Sequence, residues 1–273
     1  MKRTDVLFAS VLTLLASFVG VQAYQARHSQ NVAFGITSFG SSAEASPAAA
    51  PIASARPGLA SRKVLAAASN NSDVRAESRR RLEMYSTGTY IGDILTAHDS
   101  SLARWPDRHG VPLRVWVQSS PDIADWNPDN VALVREAFLS WTDAGVPINF
   151  TFVLDSASAD VHVTWIDRFD EQISGKTLWT HDERWWIVDA DILLALHHRS
   201  GESLDSSAIR AIALHEVGHL VGLDHTRDTT AIMTPRVHTR ELSKADRATV
   251  QLLYALPPGS VRALPALPAQ RDR

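Results

Sequence analysis

The stretch from 215 to 225, HEVGHLVGLDH, constrains this chain more than any other. On a helix, His215 and His219 lie one turn apart on the same face, so two imidazole nitrogens can reach a single point. Glu216 lies to the side of that point, where it can reach a water held there without being forced to ligate. A straight helix would carry His225 about 15 Å beyond His215, whereas zinc–nitrogen bonds are about 2.0 to 2.1 Å, so the helix must stop between them. Gly222 is where it can stop, because glycine adopts a left-handed backbone without steric penalty and turns the chain back. His225 then closes a third corner of a tetrahedral site. The fourth corner is left for water, the mark of a catalytic rather than a structural metal centre. Leu214, Val217, Leu220 and Val221 occupy the rest of the helix circumference and anchor it in a core.

Spelled out, the string is His-Glu-x-x-His-x-x-Gly-x-x-His, present in full as His215, Glu216, His219, Gly222 and His225. Eight residues past His225 comes Met233, within Ala231-Ile232-Met233-Thr234-Pro235. With these motifs the chain resembles the metzincin zinc peptidases, Met233 standing where the family's Met-turn forms an apolar floor beneath the ligands. Thr226 after the last histidine, the Ile-Met-x-Pro form of the turn, and the later segment from Leu242-Ser243 to Leu253-Tyr254 look most like the matrixin branch. The resemblance covers roughly residues 100 to 257.

The chain has no cysteine, so it must be stable without disulfides, and its metal chemistry falls to histidine and carboxylate. The formal charge of −3 gives no electrostatic reason to expect nucleic acid as a partner. Lys2 and Arg3 precede an apolar run from Val6 to Gly20 and the small-residue pattern Val21-Gln22-Ala23. That is the layout of a secretory signal peptide over 1–23, and the run is short for a membrane span, which needs about 20 residues. Export to the periplasm or the exterior is expected, with no stable membrane insertion once the signal is cleaved; an uncleaved anchor is the alternative. A monomer is expected.

Residues 24–85 are rich in Ala, Ser, Arg and Pro with few large apolar side chains, which reads as a linker or disordered pro-segment. All eight tryptophans fall between Trp105 and Trp186, so the packed body is expected over 86–257, with a frayed proline-rich tail over 258–273. Within the body, 112–118, 148–154 and 159–166 read as strands, and KTLWTHD and WWIVDADILLA as a fourth and a fifth. A helix is expected with Asn127 as its N-cap and Pro128 at its first position, Val131, Val134, Phe138 and Trp141 as its apolar stripe and Gly145 at its end. The metal-site helix starts near Asp205–Ser207 and ends at Gly222. A last helix opens at Ser243, which Asp246 can answer as the acid of a capping box. The expected fold class is α+β, a twisted five-stranded mixed sheet with three helices.

The absence of cysteine excludes the pro-segment cysteine switch that many matrixins use for latency. Vertebrate members also carry a structural zinc; His162 and His181 lie in that region, but the loop supplying the other ligands is shortened, and no second zinc is expected. Asp189 and Asp191 alternate along the fifth strand and have the carboxylate chemistry that calcium takes, although exposed acids on a strand are more often only solvated. His197 and His198 lie outside any ligand spacing and read as surface residues. Trp185 and Trp186, adjacent on a strand, are expected to face opposite ways.

The resemblance implies a zinc endopeptidase acting on protein or peptide substrates, with Glu216 as general base toward a zinc-activated water. In the family the substrate lies extended beside the fourth strand, here about residues 177–181 with Trp179, and the segment after the Met-turn, Pro235 to His238 with Val237, walls the pocket for the side chain after the cut. A zinc-holding peptide-recognition module or pseudoenzyme is the competing reading. Retention of Glu216 argues against it, since binding needs the ligands but not the base.

Overall fold

Alternating apolar residues at 113–117, 161–166 and 187–195 give strands whose inner faces are buried, among them Leu113, Val115, Val161, Val163, Ile187, Ile192 and Leu194. They appear so in a computed structural model, which describes residues 59–108 and 110–262. The elements in chain order are α1 (Leu59–Tyr85), α2 (Ile91–Ala97), β1 (Ser101–Leu102), β2 (Leu113–Val117), α3 (Asn130–Asp143), β3 (Phe150–Val153), β4 (Val161–Ile166), β5 (Gly175–His181), β6 (Ile187–Ala195), α4 (Ser206–Leu220), α5 (Lys244–Ala255) and β7 (Gly259–Ser260).

The five long strands form one mixed sheet in the order β3-β2-β4-β6-β5. The first three pairings are parallel, and β5 runs antiparallel to β6 at the edge, with Trp179 opposite Ala190. Helices α3 and α4 pack together on this frame. Trp141 of α3 is fully buried and donates its indole N–H to the Leu214 carbonyl at 2.8 Å, and Trp105 does the same to Leu220 at 2.9 Å. Each such ring places a large apolar surface in the core, worth roughly 1.5–3 kcal/mol for a side chain of this class, while its one polar atom stays satisfied.

The helix caps follow the local chemistry. Asp205 accepts from the Ala208 amide at 2.7 Å and opens α4. Ser243 and Asp246 form the reciprocal capping box of α5, the serine accepting the Asp246 amide and the aspartate accepting the Ser243 amide at 2.7 Å. Pro128, by contrast, is not the first residue of α3. Asn127 instead closes a tight turn, its side chain accepting the Asp129 amide at 2.9 Å, and the helix begins at Asn130. The metal-site helix likewise ends at Leu220, two residues before the turning glycine.

Three expectations change on a larger scale. The part of the Ala/Ser/Arg-rich segment lying at 59–85 is a 27-residue helix, and with the short α2 it brings the α-helices among the described residues to five rather than three. Its stretch contains neither Gly nor Pro and is filled with Ala, Leu, Arg and Glu, whose intrinsic preference favours a helix without an apolar stripe. Its last turns lie against residues 255–261, with Leu82 packed on the core and Arg79 and Arg81 donating to the carbonyls of Val261 and Ala255. Residues 258–262 are also not frayed: Ser260 and Gly259 pair antiparallel with Ser101 and Leu102, and Val261 is buried. Trp185 and Trp186 precede β6 rather than belonging to it. Trp185 has φ +66° in a tight turn and stacks on His181, and Trp186 lies under the Arg104 guanidinium. The signal segment 1–23, the linker 24–58 and the tail 263–273 lie outside the described residues.

Candidate metal centre and cleft

Helix α4 presents His215 and His219 one turn apart, and the backbone then turns at Gly222, whose φ is +99°. A side chain there would also collide with the Ala103 carbonyl oxygen, so the turn needs glycine for two separate reasons. The reversal returns His225 to the helix. The three Nε2 atoms lie 3.1 Å (His215–His219), 3.2 Å (His215–His225) and 3.2 Å (His219–His225) apart. Among the described residues these are the one group of three or more histidine, cysteine or carboxylate side chains gathered closely enough to hold a metal ion.

The ring orientations are fixed from behind. His215 Nδ1 lies 2.8 Å from the Ile232 carbonyl oxygen and His219 Nδ1 lies 3.0 Å from that of Leu223. A carbonyl can only accept, so each Nδ1 carries the proton and each Nε2 turns a lone pair inward. Lone pairs cannot hydrogen-bond one another, and a tetrahedral cation with bonds of about 2.0–2.1 Å sets its ligands about 3.3 Å apart, close to the spacing here. The donor set therefore fits zinc. Burial holds the His215 imidazole down to about 4, and burial together with the neighbouring imidazoles holds His219 down to about 3, so both rings are neutral and competent as ligands at physiological pH.

Glu216 is buried beside this triangle. Burial pushes its carboxyl up to about 7, against the pull of a hydrogen bond from the Thr177 hydroxyl, which lies 2.7 Å from Oε2 and 2.9 Å from the Glu216 carbonyl oxygen. Gly175, on the same strand β5, leaves room for this side chain; a Cβ there would overlap the Glu216 carboxylate.

Met233 is fully buried, its sulfur filling the space where Gly218 has no side chain. The turn that carries it is tied to both sides of the site. The Thr226 amide donates to the Met233 carbonyl at 2.9 Å, and the Ile232 amide donates to Asp246 Oδ2 at 3.0 Å. Asp246 also accepts the Tyr90 hydroxyl at 2.9 Å. One carboxylate thus caps α5 and holds the residue whose carbonyl orients His215.

The triangle opens into a cleft of about 930 Å³. The edge strand from Gly175 to Trp179 forms one wall, Pro235, Arg236 and Val237 another, and Leu204, Ala208 and Ile212 add apolar surface. Trp179, Pro235 and Val237, the residues expected at the substrate, thus all line the cleft that holds the three histidines. The remaining candidates lie elsewhere. His162 Nδ1 is 3.3 Å from Asp191, His181 stacks on Trp185, and Asp189 is exposed. His197, expected at the surface, is buried between Asp125 (3.0 Å from Nε2) and Asp167 (2.8 Å from Nδ1). Sequence spacing gave no sign of this, because its partners come from two distant loops. Thr177 falls on the strand expected beside the substrate, but its bond to Glu216 was not legible, and neither were Gly175, Asp93 and His98 as site residues.

Two comparisons bear on this geometry. The family model for matrixin matches residues 117–255, half of the chain. Matrix metalloproteinase-16 of Rattus norvegicus is 28% identical over 182 residues, covering 54% of this chain and 28% of that protein. Metalloendoproteinase 1-MMP of Arabidopsis thaliana is 28% identical over 146 residues, covering 46% and 38%. Matrix metalloproteinase-19 of Homo sapiens is 30% identical over 166 residues, covering 56% and 30%. The chain thus spans well under half the length of these curated relatives.

Proposed function

From a chain that belongs to the matrixin family, we propose a zinc-dependent endopeptidase whose metal is held by His215, His219 and His225 and whose general base is Glu216. The observation that carries this reading is the set of three converging Nε2 atoms with a buried carboxylate alongside. The names of the relatives, metalloproteinases and a metalloendoproteinase, agree with it.

A zinc ion in this cradle supplies Lewis acidity, polarising the scissile carbonyl and lowering the pKa of a water from 15.7 toward about 7. The protein's own groups do the rest. Glu216, with a proton affinity raised to about 7, accepts the proton of the attacking water and passes it to the leaving amine. Thr177 holds Oε2 while this happens. The substrate adds itself as an extended strand to the free edge of β5, where backbone hydrogen bonds bind sequence-independently. The side chain after the cut enters the space bounded by Leu204, Ala208, Ile212 and Val237.

The catalytic unit in this reading is 86–257, and the chain is exported with residues 1–23 removed. Cleavage of a generic protein substrate that is abolished by a chelator, restored by zinc and absent in Glu216→Ala tests the activity. A wild-type protein that binds zinc yet cleaves nothing overturns it. N-terminal sequencing of the exported form tests the processing.

A further inference from the structure

Two of the three histidines are set by a helix, but His225 lies on irregular chain, is exposed, and has no secondary structure to fix it. A ligand must be held to within about half an ångström for a tetrahedral site to form, so something outside the loop has to hold this one. The residues on both sides of it are gripped by one distant segment. Asp93 Oδ2 accepts the Thr226 hydroxyl at 2.8 Å and the Arg227 amide at 3.3 Å. His98 Nε2 lies 3.0 Å from Asp224 Oδ2, and Asp224 Oδ1 in turn accepts the His225 amide at 2.6 Å.

We infer that residues Tyr90–His98 are a built-in brace of the metal centre, with Asp93 and His98 as positioning residues that hold His225 in place from its two flanks. The inference rests on the zinc reading of the site. The brace has its own anchorage. Ile91 and Ile94 of α2 are buried in the core, and the Tyr90 amide donates to the Thr249 hydroxyl of α5 at 3.0 Å. Asp93 and His98 are therefore fixed by packing that does not depend on the metal, and they transmit that rigidity to a loop 133 positions further along the chain. His98 also reaches toward the substrate side, its ring 5.9 Å from that of Trp179 on the edge strand. A corollary is that an active form of this protein keeps residues 90–98, so any activating cut falls before them.

The test uses the full chain and zinc alone as the probe. Zinc affinity is measured by competition with a chromogenic chelator for wild type, Asp93→Ala, Asp93→Asn, His98→Ala and His98→Gln, alongside thermal unfolding of each zinc-free protein. The brace predicts roughly 10–100-fold weaker zinc binding in the two alanine variants, the range found when partners of metal ligands are removed. It also predicts recovery to within a few-fold in Asp93→Asn, which can still accept from Thr226, and in His98→Gln, which can still donate to Asp224. If Asp93→Ala does not fold, Thr226→Val removes the same hydrogen bond from its other end and is held to the same expectation. Alanine variants that bind zinc as tightly as wild type overturn the brace, and so does an affinity loss that the conservative variants fail to recover. If wild type itself takes up no zinc, the metal reading falls and the brace with it; if wild type binds zinc and the variants match it, the brace alone falls.

Discussion

The Thr177 hydroxyl stands 2.7 Å from Glu216 Oε2, so the edge strand that borders the cleft also orients the carboxylate beside the three histidines. Thr177→Val keeps the shape of the side chain and removes the donor. A hydrogen bond to a charged group is worth about 1.5–3 kcal/mol, and kcat is expected to fall roughly tenfold or more while KM and zinc content stay near wild type. Thr177→Ser should restore most of the loss. Steady-state kinetics with zinc analysis on the same samples decides it, and an unchanged kcat in the valine variant would mean that the bond is incidental.

Glu216→Gln removes the proton acceptor and leaves the histidines in place. Activity should drop by about 10²–10⁴ with one zinc still bound per chain. Loss of zinc in this variant would show instead that Glu216 is a ligand.

His219→Ala removes one of three ligands set by the helix and its turn. On the zinc reading, the metal binds the folded state alone and would stabilise the wild type by about 2.7 kcal/mol when present at 100 times its Kd. The rise in Tm on adding zinc should therefore vanish in the variant, as it should in wild type with excess chelator. Scanning calorimetry with and without zinc measures both.

The His197 clamp makes stability depend on pH. Its imidazole is raised above the ordinary value, first by the hydrogen bond to Asp125 and with help from Asp167, while the same bond holds the Asp125 carboxyl below the usual range. The charged ring is favoured in the folded state, so its contribution is complete below about pH 6.5 and is lost as pH rises through the raised folded-state value. The Asp125 contribution is complete above about pH 3.9 and is lost as pH falls toward its depressed value. Urea unfolding midpoints should thus decline from pH 6 to pH 9 more steeply in wild type than in His197→Phe. Equal slopes would remove the clamp as the cause.

Gly222→Ala asks an L-residue to hold φ +99° against the Ala103 carbonyl. The left-handed conformation alone costs about 1–2 kcal/mol, and the overlap adds to it. Lower Tm together with weaker zinc binding is expected, because the strain falls between His219 and His225. Lower Tm with zinc affinity intact would separate the turn from the metal site.

Much of this was readable from local pattern alone. The five strands, the capped openings of α4 and α5, and the turn at Gly222 follow from residues within a few positions of one another, where spacing and cap chemistry act directly. The features that escaped depend on partners far along the chain. His197 lies near no ligand motif and is buried only because loops at 125 and 167 close over it. Helix α1 carries no apolar stripe, so composition suggested a linker although its residues individually favour a helix. Asp93 and His98 look like ordinary surface polar residues until the fold brings them against 224–227.

The short pairing of Ser101–Leu102 with Gly259–Ser260 has a consequence for protein architecture. It fastens the segment after α2 to the segment after α5, and Arg79 and Arg81 of α1 add bonds to the carbonyls of Val261 and Ala255. A truncation before residue 259 would therefore unclasp two things at once, taking away the partner of β1 and the carbonyl that Arg79 of α1 grips.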